Sequence, residues 1–169
     1  AREITNESIN HFELGFATKS HNALFKHLKT KNYKTSVILN SGLCIEPENT
    51  GEPFDRFRHR LMFPIKDFRG RTIAFGGRSL DANTSAKYLN SPETPLFSKG
   101  KILYNFSNAK SSRKNEHPPL LTEGYMDELA LFQEGFTNAV APLGTAISEN
   151  QLQLLWQLHP EPVVLFDGD

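Results

Sequence analysis

Beyond Pro118-Pro119 the chain alternates short apolar runs with amphipathic segments, and this alternation constrains its fold more than any other feature. Leu120-Leu121-Thr122 reads as a short strand, and residues 126–134 as a helix with Leu129, Ala130 and Phe132 facing inward and Gly135 at its C-terminal cap. Residues 138–141 form the next apolar run, although Pro142 sits where a more strand-compatible residue is expected. Ser148, with Gln151 three positions later, is a capping-box signal for a helix carrying Leu152, Leu155 and Trp156, the last expected in the core. Residues 163–166 close the series as a strand. Strand, helix, strand, helix, strand implies right-handed crossovers and a parallel sheet covered on both faces.

A parallel sheet gives acidic residues a common address. Glu123 follows the first of these strands, and Asp167 and Asp169 follow the last. Ligands of open parallel sheets sit at the carboxyl ends of the strands, so the three carboxylates are expected at one edge. Like charges that close repel unless protons or a cation intervene. An all-oxygen set selects a hard ion, Mg²⁺ or Mn²⁺, over zinc, and Asp167-Gly168-Asp169 lets two carboxylates bend toward one site. The same triplet alone also reads as a turn, and Glu123 and Asp127 are equally placed to cap the helix that follows. One Cys and six scattered His show no zinc spacing.

The first part of the chain reads as mixed helix and strand. Helical signals occupy residues 8–12 and 23–28, and residues 40–53 read as a loop. Leu61, Phe63 and Ile65 alternate with more polar neighbours, as do Ile73 and Phe75 after the turn Asp67-Phe68-Arg69-Gly70, which marks a hairpin. Arg56, Arg58, Arg60, Lys66, Arg69, Arg71 and Arg78 flank it, and Arg56, Arg58 and Arg60 are expected in part to pair with carboxylates. Gly76-Gly77 permits close approach of backbone to a ligand, or simply a bend. Residues 107–119, with Ala109 as their one apolar residue, read as a linker. The boundary is placed there, with subdomains over 1–114 and 115–169.

The formal net charge of zero conceals a strong asymmetry, since residues 55–101 hold ten Lys/Arg against four Asp/Glu and residues 115–169 hold nine acids and no Lys or Arg. Such a division implies a surface for a polyanion joined to an acidic, metal-binding one; two solvated faces that neutralise each other are the plain alternative. An apolar fraction of 38% is too high for a disordered chain, and no run approaches the roughly 20 residues of a membrane span. Cys44 is unpaired and no secretory signal is present, which fits a reducing cytoplasm; the thiol is expected to be inert. The start at Ala1 and the end on Asp169 directly after an apolar run read as those of an excised fragment.

Six motifs occur in an order that resembles one family. They are Phe57-Arg58-His59-Arg60-Leu61-Met62-Phe63-Pro64-Ile65, Phe75-Gly76-Gly77-Arg78, Lys87-Tyr88-Leu89-Asn90-Ser91-Pro92-Glu93-Thr94, Glu123-Gly124-Tyr125-Met126-Asp127, Leu143-Gly144-Thr145-Ala146 and Asp167-Gly168-Asp169. Together they resemble the RNA polymerase region of the bacterial DnaG-type primases, and Glu123 with the Asp167/Asp169 pair resembles the acidic signature of the TOPRIM fold. The resemblance implies an α+β, basic, nucleic-acid-binding subdomain followed by an α/β TOPRIM subdomain whose parallel sheet is truncated at the C-terminus.

It also implies template-directed synthesis of short RNA primers on single-stranded DNA from ribonucleoside triphosphates, by the metal-dependent logic of polymerases. By resemblance, Glu123 is a metal ligand or general base, Asp167 and Asp169 are metal ligands of Mg²⁺ or Mn²⁺, and Asp127 lines the same edge. Arg78, Lys87, Tyr88, Asn90 and Lys99 match positions that hold template or nucleotide, and Arg2 is assigned to the same pocket. Their chemistry suits that: Arg forks onto phosphate, Lys supplies a point charge and Tyr88 a stacking ring. Tyr88 as core packing, Asn90 as a turn former and Lys99 as a solvated charge are the structural alternatives. A zinc domain upstream, a domain for the replicative helicase downstream and the remaining TOPRIM strands are implied outside these residues, with no membrane partner. The fragment alone is accordingly expected to be weak or inactive. Alternatives are a TOPRIM-type nuclease or hydrolase, or a binding-only single-stranded nucleic-acid module.

Overall fold

A computed structural model describes residues 3–84, 86–112, 117–144 and 146–167. The order of elements is α1 (Asn6–His11), β1 (Gly15–Ala17), α2 (Ala23–Thr30), α3 (Thr35–Asn40), β2 (Cys44–Ile45), β3 (Phe54–Asp55), β4 (Arg60–Lys66), β5 (Thr72–Ser79), β6 (Tyr88–Asn90), a 3₁₀ turn (Lys99–Lys101), β7 (Leu103–Tyr104), α4 (Phe106–Ser111), β8 (Leu120–Leu121), α5 (Tyr125–Gln133), β9 (Ala139–Pro142), α6 (Glu149–Leu158) and β10 (Val163–Val164). The chain divides into two compact units, one made of residues 1–13, 65–73 and 98–169, the other of residues 14–64 and 74–97.

The second of these units carries the arginine-rich sequence. Its sheet runs β1-β4-β5-β6, with β1 antiparallel to β4 and β6 antiparallel to β5. Alternation along β4 buries Phe63 and Ile65, as period-2 patterning demands. The expected loop at 40–53 is partly structured: Cys44–Ile45 pairs with Phe54–Asp55, and a small core of Phe25, Ile38 and Cys44 forms beneath α2 and α3. Asp55 fixes the start of α2, its carboxylate accepting from the amides of Leu24 (2.8 Å) and Phe25 (2.9 Å), where the helix dipole favours an anion. Burial, and then Asp55, push the Cys44 thiol up to about 11, so it stays protonated and unreactive.

Arg56, Arg58 and Arg60 are structural, but their partners are not the carboxylates expected from the sequence. Arg60, buried, donates to the carbonyls of Gly77, Lys87 and Ala86; Arg56 donates to the carbonyl of Asn90, and Arg58 to that of Asp55. Main-chain oxygens of β3, β5 and β6 and of the two residues before β6 are thus satisfied by guanidinium groups.

The other unit is built on a sheet ordered β10-β8-β9-β7. Strands β10, β8 and β9 run parallel, as the alternation requires, and β7 adds an antiparallel edge. All four residues of β9 are buried, whereas β10 is an exposed edge, so the expected cover on both faces holds only at the centre. Pro142 ends β9 opposite Leu103, where its missing N–H costs no interior rung. Leu103, Phe106, Ala109, Leu121, Val140, Leu155 and Leu158 form the core. Phe106 and Ala109 belong to α4, so the first residues of the expected linker are helical. Ser148 and Gln151 make the capping box of α6 as anticipated. Trp156, expected inside, is 57% exposed, because α6 turns Leu155 and Leu158 to the core instead.

Candidate functional site

The parallel ladder of the β10-β8-β9 sheet explains how two distant acids meet. Along β10, the amide of Val163 donates to the carbonyl of Pro119, and that of Leu165 to the carbonyl of Leu121. The next rung in this two-residue step would join the amide of Asp167 to residue 123. It does so through the side chain: Asp167 N–H donates to Oε1 of Glu123 at 2.7 Å. Glu123 and Asp167 therefore lie together just past the carboxyl ends of adjacent strands, both exposed. α5 starts at Tyr125 with Gly124 as its N-cap, so Glu123 lies one residue ahead of the cap. Asp127 sits in the first turn of α5.

Lys99 reaches the same edge from the 3₁₀ turn before β7. A Cβ built on Gly144, which follows β9, would lie 3.3 Å from its Cε and 3.5 Å from its Nζ. Since β8, β9 and β10 are parallel, Gly144, Glu123 and Asp167 all follow strand ends on one side of the sheet. Lys99 is half-buried against this edge.

Arg78, Lys87, Tyr88 and Asn90 form a second group on β5 and the β6 edge. The register pairs Arg78 with Tyr88 and Gly76 with Asn90, which sets Arg78, Tyr88 and Asn90 on one face of the ladder, with Lys87 just ahead of β6. Gly77 faces the other way, where an added Cβ would meet Phe57 at 2.9 Å and Arg60 at 3.0 Å. Tyr88 is 42% exposed, with the Lys87 ammonium 5.9 Å from its ring centroid, and so is not core packing. Arg78 Nε is buried and has no hydrogen-bond partner among the described residues. Arg2 and Asp169 lie outside the described residues.

Sequence patterning missed one buried ionisable group, Glu128. It shares the inward face of α5 with Tyr125 and Leu129, a phase that the spacing from Tyr125 could have disclosed. Neither carboxyl oxygen has a hydrogen-bond partner among the described residues. Burial raises its pKa well above the ordinary carboxylate value; the nearby Asn105 amide, which donates to the Ala139 carbonyl and does not reach hydrogen-bond geometry with Glu128, opposes this in part, and the charge of Asp127 adds to it. The Tyr104 hydroxyl is likewise pushed up, by burial first and then by Glu128 and Tyr125.

Glu123 and Asp167 offer exposed, all-oxygen donors on adjacent strand ends, a set that fits a hard divalent cation. Among the described residues no group of three His, Cys, Asp or Glu completes a ligand shell.

The model of the DNA primase catalytic core, N-terminal domain, matches residues 1–110. The chain belongs to the DnaG-type DNA primase family. Residues 120–169 match the Toprim domain, which implies the use of a divalent metal. The DNA primase of Pseudomonas aeruginosa is 48% identical over 168 residues, 99% of this chain and 25% of that protein. The zinc-binding and RNA polymerase domains of the Aquifex aeolicus primase superpose with a TM-score of 0.89 at 42% identity, covering 98% of this chain and 40% of that one. A DnaG primase catalytic domain bound to single-stranded DNA superposes with a TM-score of 0.87 at 39% identity, over 98% of this chain and 51% of its own. The chain thus spans about a quarter of the length of the curated primases it matches. No helix among the described residues is long and apolar enough to cross a membrane.

Proposed function

We propose that this chain belongs to a primase that synthesises short RNA primers on a single-stranded DNA template from ribonucleoside triphosphates. The observation that carries this reading is the rung from Asp167 N–H to Glu123 Oε1, which holds two acids side by side at the carboxyl edge of a parallel sheet. Glu123, Asp167 and Asp169 would hold Mg²⁺ or Mn²⁺, with Asp127 beside them, and the bound ion would neutralise phosphate charge and lower the pKa of the attacking hydroxyl. Glu123 is the ligand or general base of this set.

The protein's own groups handle the polyanion. Tyr88 supplies a stacking face, Lys87 and Arg78 supply cations on its ladder, and Asn90 a polar partner along β6. Arg78 Nε, buried and without an acceptor among the described residues, supports this role, since such a donor is costly unless a ligand completes it. Lys99 brings a point charge to the acidic edge, suited to the phosphates of the incoming nucleotide. Arg2 belongs to the same set by its motif.

The division at 1–114 and 115–169 is the functional one in this reading, separating nucleic-acid handling from metal chemistry. The intact protein would work in the cytoplasm and meet the replicative helicase through a domain outside these residues, and zinc would be held by a further domain. Among the described residues Glu123 and Asp167 alone do not make a three-carboxylate group, and in this reading the 169 residues by themselves would synthesise little primer.

The test is primer synthesis on a single-stranded template with ribonucleoside triphosphates and Mg²⁺. Loss of synthesis in Glu123→Gln and Asp167→Asn variants of the intact protein, with template binding retained, supports the reading. Full activity in either variant overturns it, and template nicking without triphosphates would point to a nuclease.

A further inference from the structure

We infer that Ser148 and Gln151 are positioning residues that set Lys99 at the acidic edge by gripping the backbone of the 3₁₀ turn that carries it. The inference rests on the reading of Lys99 as a nucleotide-holding residue and goes beyond it to what holds Lys99 in place.

The capping box of α6 does two jobs at once. Within the helix it is self-contained: Gln151 N–H donates to Ser148 Oγ at 3.2 Å, and Ser148 N–H donates to Gln151 Oε1 at 2.9 Å. The remaining donors of the same two side chains leave the helix. Gln151 Nε2 donates to the carbonyl of Lys99 at 3.2 Å and to that of Ile102 at 2.9 Å. The Ser148 hydroxyl donates to the carbonyl of Gly100. Three carbonyls within four residues are thus fixed by one helix terminus, and Gln151, only 2% exposed, spends both amide protons on them.

Capping alone does not need this arrangement. A Ser or Asp at the N-cap completes the helix without touching another segment, so the outward bonds have a separate consequence. The turn they pin leads into β7, whose Leu103 pairs with Pro142 at the end of β9. Gly144 lies two residues further, and Lys99 rests against it with no Cβ between. Turn, strand end and helix start form one framework, and the ammonium it directs stands at the edge that bears Glu123 and Asp167. A lysine on a long flexible stem loses much of its freedom before a ligand arrives, which lowers the entropy cost of holding a phosphate.

Steady-state primer synthesis with the intact protein tests this, with ATP and GTP as the varied nucleotides and thermal melting in parallel. Ser148→Asp keeps the capping acceptor but replaces the hydroxyl donor by a carboxylate facing the Gly100 carbonyl, and Gln151→Met keeps the volume and the backbone bond to Ser148 but loses every side-chain hydrogen bond. Both variants are expected to raise KM for nucleotide about tenfold with kcat within about twofold, while Ser148→Thr, which keeps donor and acceptor, restores it. In a Lys99→Ala background, Ser148→Asp is expected to add nothing, because residues acting through one group are not additive. An unchanged KM in Ser148→Asp, or a full multiplicative effect on top of Lys99→Ala, overturns the inference while leaving the reading of Lys99 intact. An unchanged KM in Lys99→Ala itself overturns both. Should Gln151→Met fail to fold, Ser148→Asp decides alone.

Discussion

Asp167 donates its backbone N–H to Oε1 of Glu123 at 2.7 Å, continuing with a side chain the ladder that Leu165 and Leu121 make with main chain. The substitution turns a strand end into an acidic site, since the chain at residue 123 is free to turn into α5 while its carboxylate keeps β8 and β10 in register. One oxygen of Glu123 is engaged by the amide of Asp167, so the two acidic residues follow neighbouring strand ends.

Glu123→Gln preserves an acceptor for the Asp167 amide but removes the charge, whereas Glu123→Ala removes both. The Gln variant is expected to melt like the unaltered protein and to lose about 100-fold or more in primer synthesis; the Ala variant is expected to lose in addition no more than about 1 kcal/mol of stability, because the bond is exposed. Chemical denaturation beside a primer assay separates the two effects.

Glu128 predicts a pH dependence of definite sign. Its carboxyl is buried without a hydrogen-bond partner among the described residues, and its pKa in the fold is well above that of an unfolded chain. The folded protein therefore keeps a proton that the unfolded chain releases. Its contribution is fully present below the unfolded carboxylate pKa and is lost as pH rises toward the folded value, by roughly 1 kcal/mol per pH unit in that window. Glu128→Leu is expected to flatten this slope and to raise stability at neutral pH by roughly 1–3 kcal/mol. Urea denaturation across pH 5 to 8 measures both, and a slope that Glu128→Leu leaves unchanged would reject the assignment.

Arg60 and Gly77 form the tightest joint in the arginine-rich unit. The guanidinium binds three main-chain carbonyls, and an added Cβ at Gly77 would stand 3.0 Å from Arg60 Cδ and 2.9 Å from the Phe57 ring. Arg60→Met is expected to cost about 2–4 kcal/mol by leaving buried carbonyls unpaired, and Gly77→Ala about 1–3 kcal/mol by overpacking. Thermal melting with near-ultraviolet circular dichroism reads both, and wild-type melting in Arg60→Met would show the forks to be dispensable.

Much of this was legible in the sequence because the informative signals are local. The hairpin of β4 and β5, the cap of α6 and the order of strands after Pro119 follow from period, capping chemistry and turn residues. The proximity of Glu123 and Asp167 follows from the parallel sheet alone. The misses have physical causes. Glu128 occupies an inward position that apolar periodicity assigns to hydrophobes, and Trp156 is apolar yet lies on the outer face of α6. The partners of Arg56, Arg58 and Arg60 are backbone oxygens, which have no signature in side-chain sequence. The short pairing of Cys44–Ile45 with Phe54–Asp55 depends on a contact across a loop whose composition says only turn.

Tyr88 and Arg78 make separable predictions for single-stranded DNA binding. Tyr88→Ala is expected to weaken binding by about 1–3 kcal/mol with the salt dependence intact, as loss of a stacking face does. Arg78→Ala is expected to lower the slope of log affinity against log salt by about one phosphate contact. Fluorescence anisotropy over a salt series distinguishes them; affinity and salt slope unchanged in both variants would mean that neither ring nor guanidinium touches the strand.

The most direct test of the account is the position of a Mn²⁺ ion in crystals of the intact protein soaked with the metal and a ribonucleoside triphosphate, located by anomalous scattering. The account predicts one ion site within ligand distance of a carboxylate oxygen from both Glu123 and Asp167. Carboxylates that ligate separate ions, or an ion bound with neither of them, would contradict it.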